Sequence, residues 1–301
     1  MFKSPSALSL AVRLPDGKLH TESKPFVSIS RRLYLNKIPL LRGIAIFIEM
    51  LWVGVSYLNK SATLAMDDAD SEKLAETKNS IGKNATKSKT NSITNSTFVM
   101  TSMLVLSFLL STAVALFAFK FLPLELAAIM WNRTTSPTYA FTITEGLIKL
   151  LIFIIYLVVI GQLKDVRRVF QYHGAEHKVI RTFEAGKKLN VKNVGAATRY
   201  HPRCGTSFLV FVILLSIILY SFIPIHSSLW HLFLIRIALL PVLVAISYEV
   251  LYLTAAIKEK SFWSFLLAPG FFVQSLTTRE PNDGQIQVAI AAFNACKSKT
   301  K

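Results

Sequence analysis

Four stretches of this 301-residue chain are apolar over close to the length a helix needs to cross a bilayer: Thr97–Leu122, Thr142–Leu163, Ser207–Ile225 and Leu229–Ile257. A hydrocarbon core about 30 Å thick takes about 20 apolar residues at about 1.5 Å each. Within it every backbone N–H and C=O must be bonded inside the protein, which leaves helices or a closed barrel. Runs this long argue against an ordinary soluble domain. They predict an all-α integral membrane protein with about four transmembrane helices. Hydrophobic residues are 52% of the chain, yet its formal net charge is +17. That combination puts the cations in loops, facing anionic headgroups and the cytoplasm.

The remaining segments fit around these spans. Ala7–Leu14 and Lys18–Lys24 flank Pro15-Asp16-Gly17, which predicts a small β-hairpin in a cytoplasmic region 1–37. Ile38–Leu58 is apolar but carries Arg42 and Glu49; as a further span it would put Arg31, Arg32 and Lys37 outside, so it is expected to be an interfacial or re-entrant helix. Residues 59–96, rich in Lys, Asn, Ser and Thr, read as a polar flexible linker. A membrane domain covers 97–276, and its end, Phe262–Leu276, is short and broken by Pro269-Gly270. That end reads as interfacial or re-entrant. Residues 277–301 form a cytoplasmic segment, with a short helix at Gln285–Phe293. The loop 164–206 is dense in Lys and Arg, whereas Pro123–Phe141 holds only Arg133. The positive-inside rule therefore places 164–206 in the cytoplasm, and four spans put both termini there too. Cys204 and Cys296 are the two cysteines, and on the cytoplasmic side they are expected to form no structural disulfide.

The chemistry concentrates in that basic loop. Tyr172-His173-Gly174-Ala175-Glu176-His177 contains H-x-x-E-H. On a helix, positions four apart share a face, so His173 and His177 can turn their imidazoles to one ion, with Glu176 as a general base. The inverted zinc-peptidase motif has the same spacing. Two exposed histidines on a surface helix are the plainer reading. Downstream, His201 and Cys204 add an imidazole and a thiol, a donor set that suits zinc. The plainer reading there is a helix-entry turn, shaped by Pro202 and Gly205 and capped by Thr206 or Ser207. Glu249 lies about 12 Å along its helix from Ile257. An acid at that depth either pairs with a base or is an acidic metal ligand. Arg236, nearer the other end, is expected to snorkel. Glu145 and Lys149 are placed for an intrahelical ion pair. Arg42 and Glu49 share a face without needing to touch. His226 and His231 flank the outer turn as interfacial residues.

Several segments carry a family resemblance. Lys164-Asp165-Val166-Arg167-Arg168-Val169-Phe170-Gln171-Tyr172-His173-Gly174-Ala175-Glu176-His177-Lys178 resembles the signature of the YqhQ-like family of bacterial membrane proteins. His201-Pro202-Arg203-Cys204-Gly205-Thr206-Ser207-Phe208 and Thr277-Thr278-Arg279-Glu280-Pro281 resemble it too, as do Arg42-Gly43 and Ser247-Tyr248-Glu249. The resemblance implies a metal-dependent enzyme in the bacterial plasma membrane, with no reaction defined. Family members carry a glycine-rich segment ahead of the part matching Lys3-Ser4-Pro5. Here Met1 almost abuts that match, so the start is misassigned or the segment is lost.

Two functions follow as expectations. In the first, the chain is a membrane-embedded hydrolase with a divalent metal, zinc by its donors. His173 and His177 bind the metal, and His201, Cys204 or Glu249 completes the set. Glu176 moves the proton, and Arg279 steadies an anionic substrate or transition state. In the second, the same residues form a closed, non-catalytic zinc knot. The basic face then docks anionic lipid, a ribosome or a translocation partner. No DNA partner is expected. A transporter ranks last, because few acids beyond Glu49, Glu145 and Glu249 line the spans.

Overall fold

The computed structural model describes residues 1–14, 16–78, 106–132, 136–225, 228–254, 256–257 and 261–298. It is mostly helical, with one small sheet. Pro15, Arg133, His226, the part of the expected linker from residue 79 onward and the start of the expected first span, 97–105, lie outside the described residues.

The expected hairpin forms and gains an edge. Strands β2 (Ala7–Arg13) and β3 (Leu19–Pro25) pair antiparallel, with Ala7 opposite Pro25 and Arg13 opposite Leu19. Strand β1 (Phe2–Lys3) pairs with β2 on its other side, which makes an antiparallel sheet of three strands. A strand of two residues carries no readable alternation, so the sequence pattern could not announce it. The turn between β2 and β3 places Gly17 at φ +82°, backbone that glycine enters without a steric penalty.

Helix α1 (Leu41–Lys78) continues well past Asn59, where the polar linker was expected to begin. Its part Leu41–Ser61 is long and apolar enough to cross a membrane, as are α2 (Leu106–Met130) and α3 (Thr138–Ile160). Helices α6 (Leu229–Ala238) and α7 (Leu240–Thr254) reach that length only together, and they meet at a bend of 48°. Pro241 stands at the bend; with no N–H and a ring in the path of the preceding turn, it ends one helix and begins the next. Helix α5 (Gly205–Tyr220) is apolar but only 16 residues long. It is shorter than the run Ser207–Ile225 suggested, because the chain turns after Tyr220. A 3-10 segment, Phe262–Leu267, leads into α8 (Ala268–Thr277).

Two bodies of packing result. In the first, the sheet, α4 (Lys164–Glu184) and α9 (Asp283–Ser298) share a core of Phe2, Ala7, Ala175, Val179, Ile286 and Ala292. In the second, the apolar helices pack through Leu124, Phe141 and Leu232, and through Phe153, Leu157, Val210, Ile213 and Val273. Helix α4 leaves the end of α3 after a break at 161–163 and carries the chain from one body to the other. It ends at Gly186, whose φ of +67° turns the chain back so that Lys187 N–H caps the Thr182 carbonyl.

Candidate metal centre

Three elements converge where the two bodies meet: the middle of α4, the start of α5 and the end of α8. Helix α4 presents His173 and His177 one turn apart, with ring centroids 4.4 Å apart. The loop before α5 presents Cys204, which is also the N-cap of that helix. One ligand atom from each of His173, His177 and Cys204 lies within 4.8 Å of the other two.

What orients the rings is backbone. His173 Nδ1 lies 3.0 Å from the Thr277 carbonyl, and His177 Nδ1 lies 2.6 Å from the Arg199 carbonyl. A carbonyl can only accept, so each Nδ1 carries the proton and donates. Each Nε2 is then left for the other side of the ring. His173 Nε2 is 3.3 Å from Cys204 Sγ. Fixing one ring nitrogen on a carbonyl is how proteins set the tautomer of metal-binding histidines. The spacing suits an ion as well. Zinc bonds of about 2.0–2.1 Å to nitrogen and about 2.3 Å to sulfur at a tetrahedral angle put the two donors about 3.5 Å apart. The His173–Cys204 pair therefore has the separation a zinc-like ion needs, and the third donor, His177, lies within 4.8 Å of both.

Electrostatics favour the thiolate. Burial pushes the Cys204 thiol up, but hydrogen bonds and positive charge from His173 and His177 outweigh it, and the pKa falls to about 5. Thr206 N–H also donates to Sγ, at 3.4 Å, and the start of α5 adds the positive end of a helix dipole. Burial lowers the pKa of His173, yet its bond to Cys204 and the charge of Cys204 win, raising it to about 9. Without a metal this is a thiolate–imidazolium pair.

Gly174 explains why this helix can approach α8 so closely. A Cβ there would sit 2.2 Å from the Arg279 carbonyl oxygen. The bare glycine lets the strand of residues after α8 lie on α4, where Arg279 N–H donates to the Phe170 carbonyl at 2.9 Å. That same contact delivers the Thr277 carbonyl to His173.

The other candidates fall elsewhere. His201 is buried beside His177, but its Nε2 faces Glu184 at 3.3 Å and its Nδ1 accepts from Arg203 N–H. Burial lowers its pKa. Its backbone is clamped by Gln274, which accepts from His201 N–H and donates to the His201 carbonyl, both at 2.8 Å. Glu249 stands apart from the cluster: Arg42 and Leu40 N–H hold its carboxylate. Of the two roles expected for Glu249, the ion pair is the one formed. Glu176 takes the amino group of Met1 at 2.6 Å, and its charge also acts on His173. Arg279 keeps a buried Nε with no hydrogen-bond partner among the described residues. Gln274 and the two carbonyls escaped sequence reasoning. Carbonyls have no side-chain signature, and only the segment that begins at Thr277 was marked, through its resemblance.

Residues 38–299 match the model of a family described as "Protein of unknown function (DUF1385)". The chain belongs to this family. It is also 35% identical over 295 residues to "Uncharacterized protein YqhQ" of Bacillus subtilis (strain 168), covering 98% of this chain and 88% of that protein. No solved structure gives a significant match. Membership in the family extends over α4, α5 and α8, and so includes all three elements of the cluster.

Proposed function

We propose that the chain is a multi-pass protein of the bacterial plasma membrane with a single divalent metal, zinc by its donors, held by His173, His177 and Cys204, and that this centre is hydrolytic. The observation that carries the reading is the pair of Nδ1–H···O=C bonds, which leave two imidazole Nε2 atoms and a thiolate facing one point. Three protein donors leave a fourth position for substrate, the mark of a catalytic rather than a structural zinc site. A divalent ion there supplies Lewis-acid polarisation of a carbonyl or phosphoryl oxygen. Glu176, on the same helix and close enough to influence His173, is the group that moves the proton. Arg279, whose buried Nε has no hydrogen-bond partner among the described residues, is the cation offered to an anionic substrate or transition state.

Two features support the membrane reading. The long helices leave large apolar side chains outside, among them Trp52, Phe108 and Ile129, each at least 70% exposed. A soluble surface rarely tolerates such a patch. Lys164, Arg167, Arg168, Lys187, Lys188 and Lys192 are exposed on α4 and just after it; they suit anionic headgroups, with the site and both termini in the cytoplasm.

The near-complete burial of His177 and Cys204, 5% and 6% exposed, favours a second reading. In it the metal only pins a scaffold, whose basic face docks a ribosome or another protein at the membrane. Cobalt(II) reconstitution of the purified protein separates the two. We expect a thiolate-to-cobalt charge-transfer band, absent in Cys204→Ala, and a ligand-field spectrum that shifts when azide is added. A charge-transfer band insensitive to azide favours the scaffold, and no band at all in the folded wild type contradicts a metal centre on Cys204.

A further inference from the structure

A second polar cluster lies inside the apolar helices, away from the metal centre. Arg236 on α6 is 1% exposed, Glu145 on α3 is 1% and Lys149 on α3 is 4%. Arg236 does not snorkel as its position in the sequence suggested: its Nη1 pairs with Glu145. The expected pair between Lys149 and Glu145 is also present, at 3.3 Å. A third cation, Lys120 of α2, reaches in from another side, with Nζ 3.3 Å from the Tyr220 hydroxyl. All three cations lie over one ring, that of Tyr220, at 5.6 Å for Lys120, 5.3 Å for Lys149 and 5.0 Å for Arg236.

The charges do not balance. Among the described residues one carboxylate, that of Glu145, stands against Lys120, Lys149 and Arg236, and it already serves two of them. The donors are not satisfied either. Arg236 Nε and Nη2 are buried with no hydrogen-bond partner among the described residues. Among the described residues Lys149 Nζ makes long hydrogen bonds, to Glu145 at 3.3 Å and Ser216 Oγ at 3.4 Å. An uncompensated charge in an apolar interior costs several kcal/mol after relaxation, so a cluster with more basic groups than acids and with idle donors is stabilised in its charged form by another anion. A guanidinium with its Nε–Nη2 edge open, beside two lysine amino groups, matches the oxygens of a phosphate-class group.

We propose that Lys120, Lys149 and Arg236, gathered over the Tyr220 ring whose hydroxyl is taken up by the Arg236 carbonyl, form a binding site for one phosphate-class oxyanion, either free phosphate or a lipid headgroup. Lys120 is the least buried member of the cluster, and it marks the side from which the anion enters. Glu145 tempers the site, holding Arg236 in place while leaving its other donors open.

The test uses the detergent-purified full chain. One sample is dialysed to equilibrium against radiolabelled inorganic phosphate. A second is extracted with organic solvent and assayed for phospholipid held through purification. One saturable phosphate per chain identifies a free oxyanion, and one retained phospholipid per chain identifies a headgroup. Lys120→Gln removes the least buried cation and keeps the Glu145–Arg236 pair, and circular dichroism checks that it remains folded. Loss of one charge-assisted bond should weaken whichever signal is present by about tenfold or more. A folded wild type that retains neither ligand overturns the proposal, as does a Lys120→Gln protein that retains it unchanged.

Discussion

Cys204 is pulled in two directions, by burial that favours the thiol and by two imidazoles that favour the thiolate, and the imidazoles prevail. The consequence is measurable in metal-free protein. Alkylation by iodoacetamide needs the thiolate, so its rate should rise with pH around a midpoint of about 5 and already be near its plateau at neutral pH. An ordinary cysteine shows this rise near pH 8.5. His173→Ala removes the hydrogen bond and the charge, and should move the midpoint upward. Other single residues test the donor set. Glu249→Gln and His201→Gln should keep their full metal content, because Arg42 and Glu184 engage those side chains elsewhere. Loss of metal from a folded Glu249→Gln protein would mean that the carboxylate leaves Arg42 to bind it. The spacing of His173 and His177 was legible because a helix puts residues four apart on one face. The fate of Glu249 was not, since its partner Arg42 lies 207 residues away in the chain.

Helix α4 owes its closeness to α8 to a single missing methyl group. Gly174→Ala would place a Cβ against the Arg279 carbonyl, and backbone cannot move aside as a flexible side chain can. Overpacking of this kind costs about 1–3 kcal/mol. We expect a lower melting temperature together with weaker metal binding, since the shifted segment carries the Thr277 carbonyl that orients His173. Unchanged melting and metal affinity would show that the contact does not position the ring. Gln274→Ala on α8 removes the clamp on the His201 backbone and leaves buried groups without partners, at a cost of about 1–3 kcal/mol. A thermal or chemical melt checks it. Apolar run length announced that α2 and α3 exist but misplaced their ends: α2 runs on to Met130, through residues expected in the loop Pro123–Phe141, and α3 begins at Thr138 and ends at Ile160. It could not tell one long helix from two, because the break between α6 and α7 depends on how Pro241 is accommodated. Nor could it show that α1 stays helical through polar residues as far as Lys78.

At the scale of the molecule, the His173–His177–Cys204 cluster joins a small sheet-and-helix body to a bundle of apolar helices, and its residues come from both. The sequence pattern conveyed the two kinds of material, basic loop and apolar span. It could not convey that α4, α5 and α8 meet at one point, because the carbonyls and glycine that draw them together have no pattern of their own. The membrane reading makes its own prediction: cysteines introduced singly at Lys187 and at Lys297 should be shielded from an impermeant maleimide in intact cells and labelled after lysis. Labelling of either in intact cells would reverse the proposed orientation. The central claim is that His173, His177 and Cys204 hold a metal. Elemental analysis of protein purified without chelator, beside a His173→Ala/His177→Ala double variant, tests it most directly. The account predicts one equivalent of divalent metal, zinc foremost, in the wild type and none in a variant that remains folded. Wild-type protein without metal, or a variant that retains it, would contradict the account.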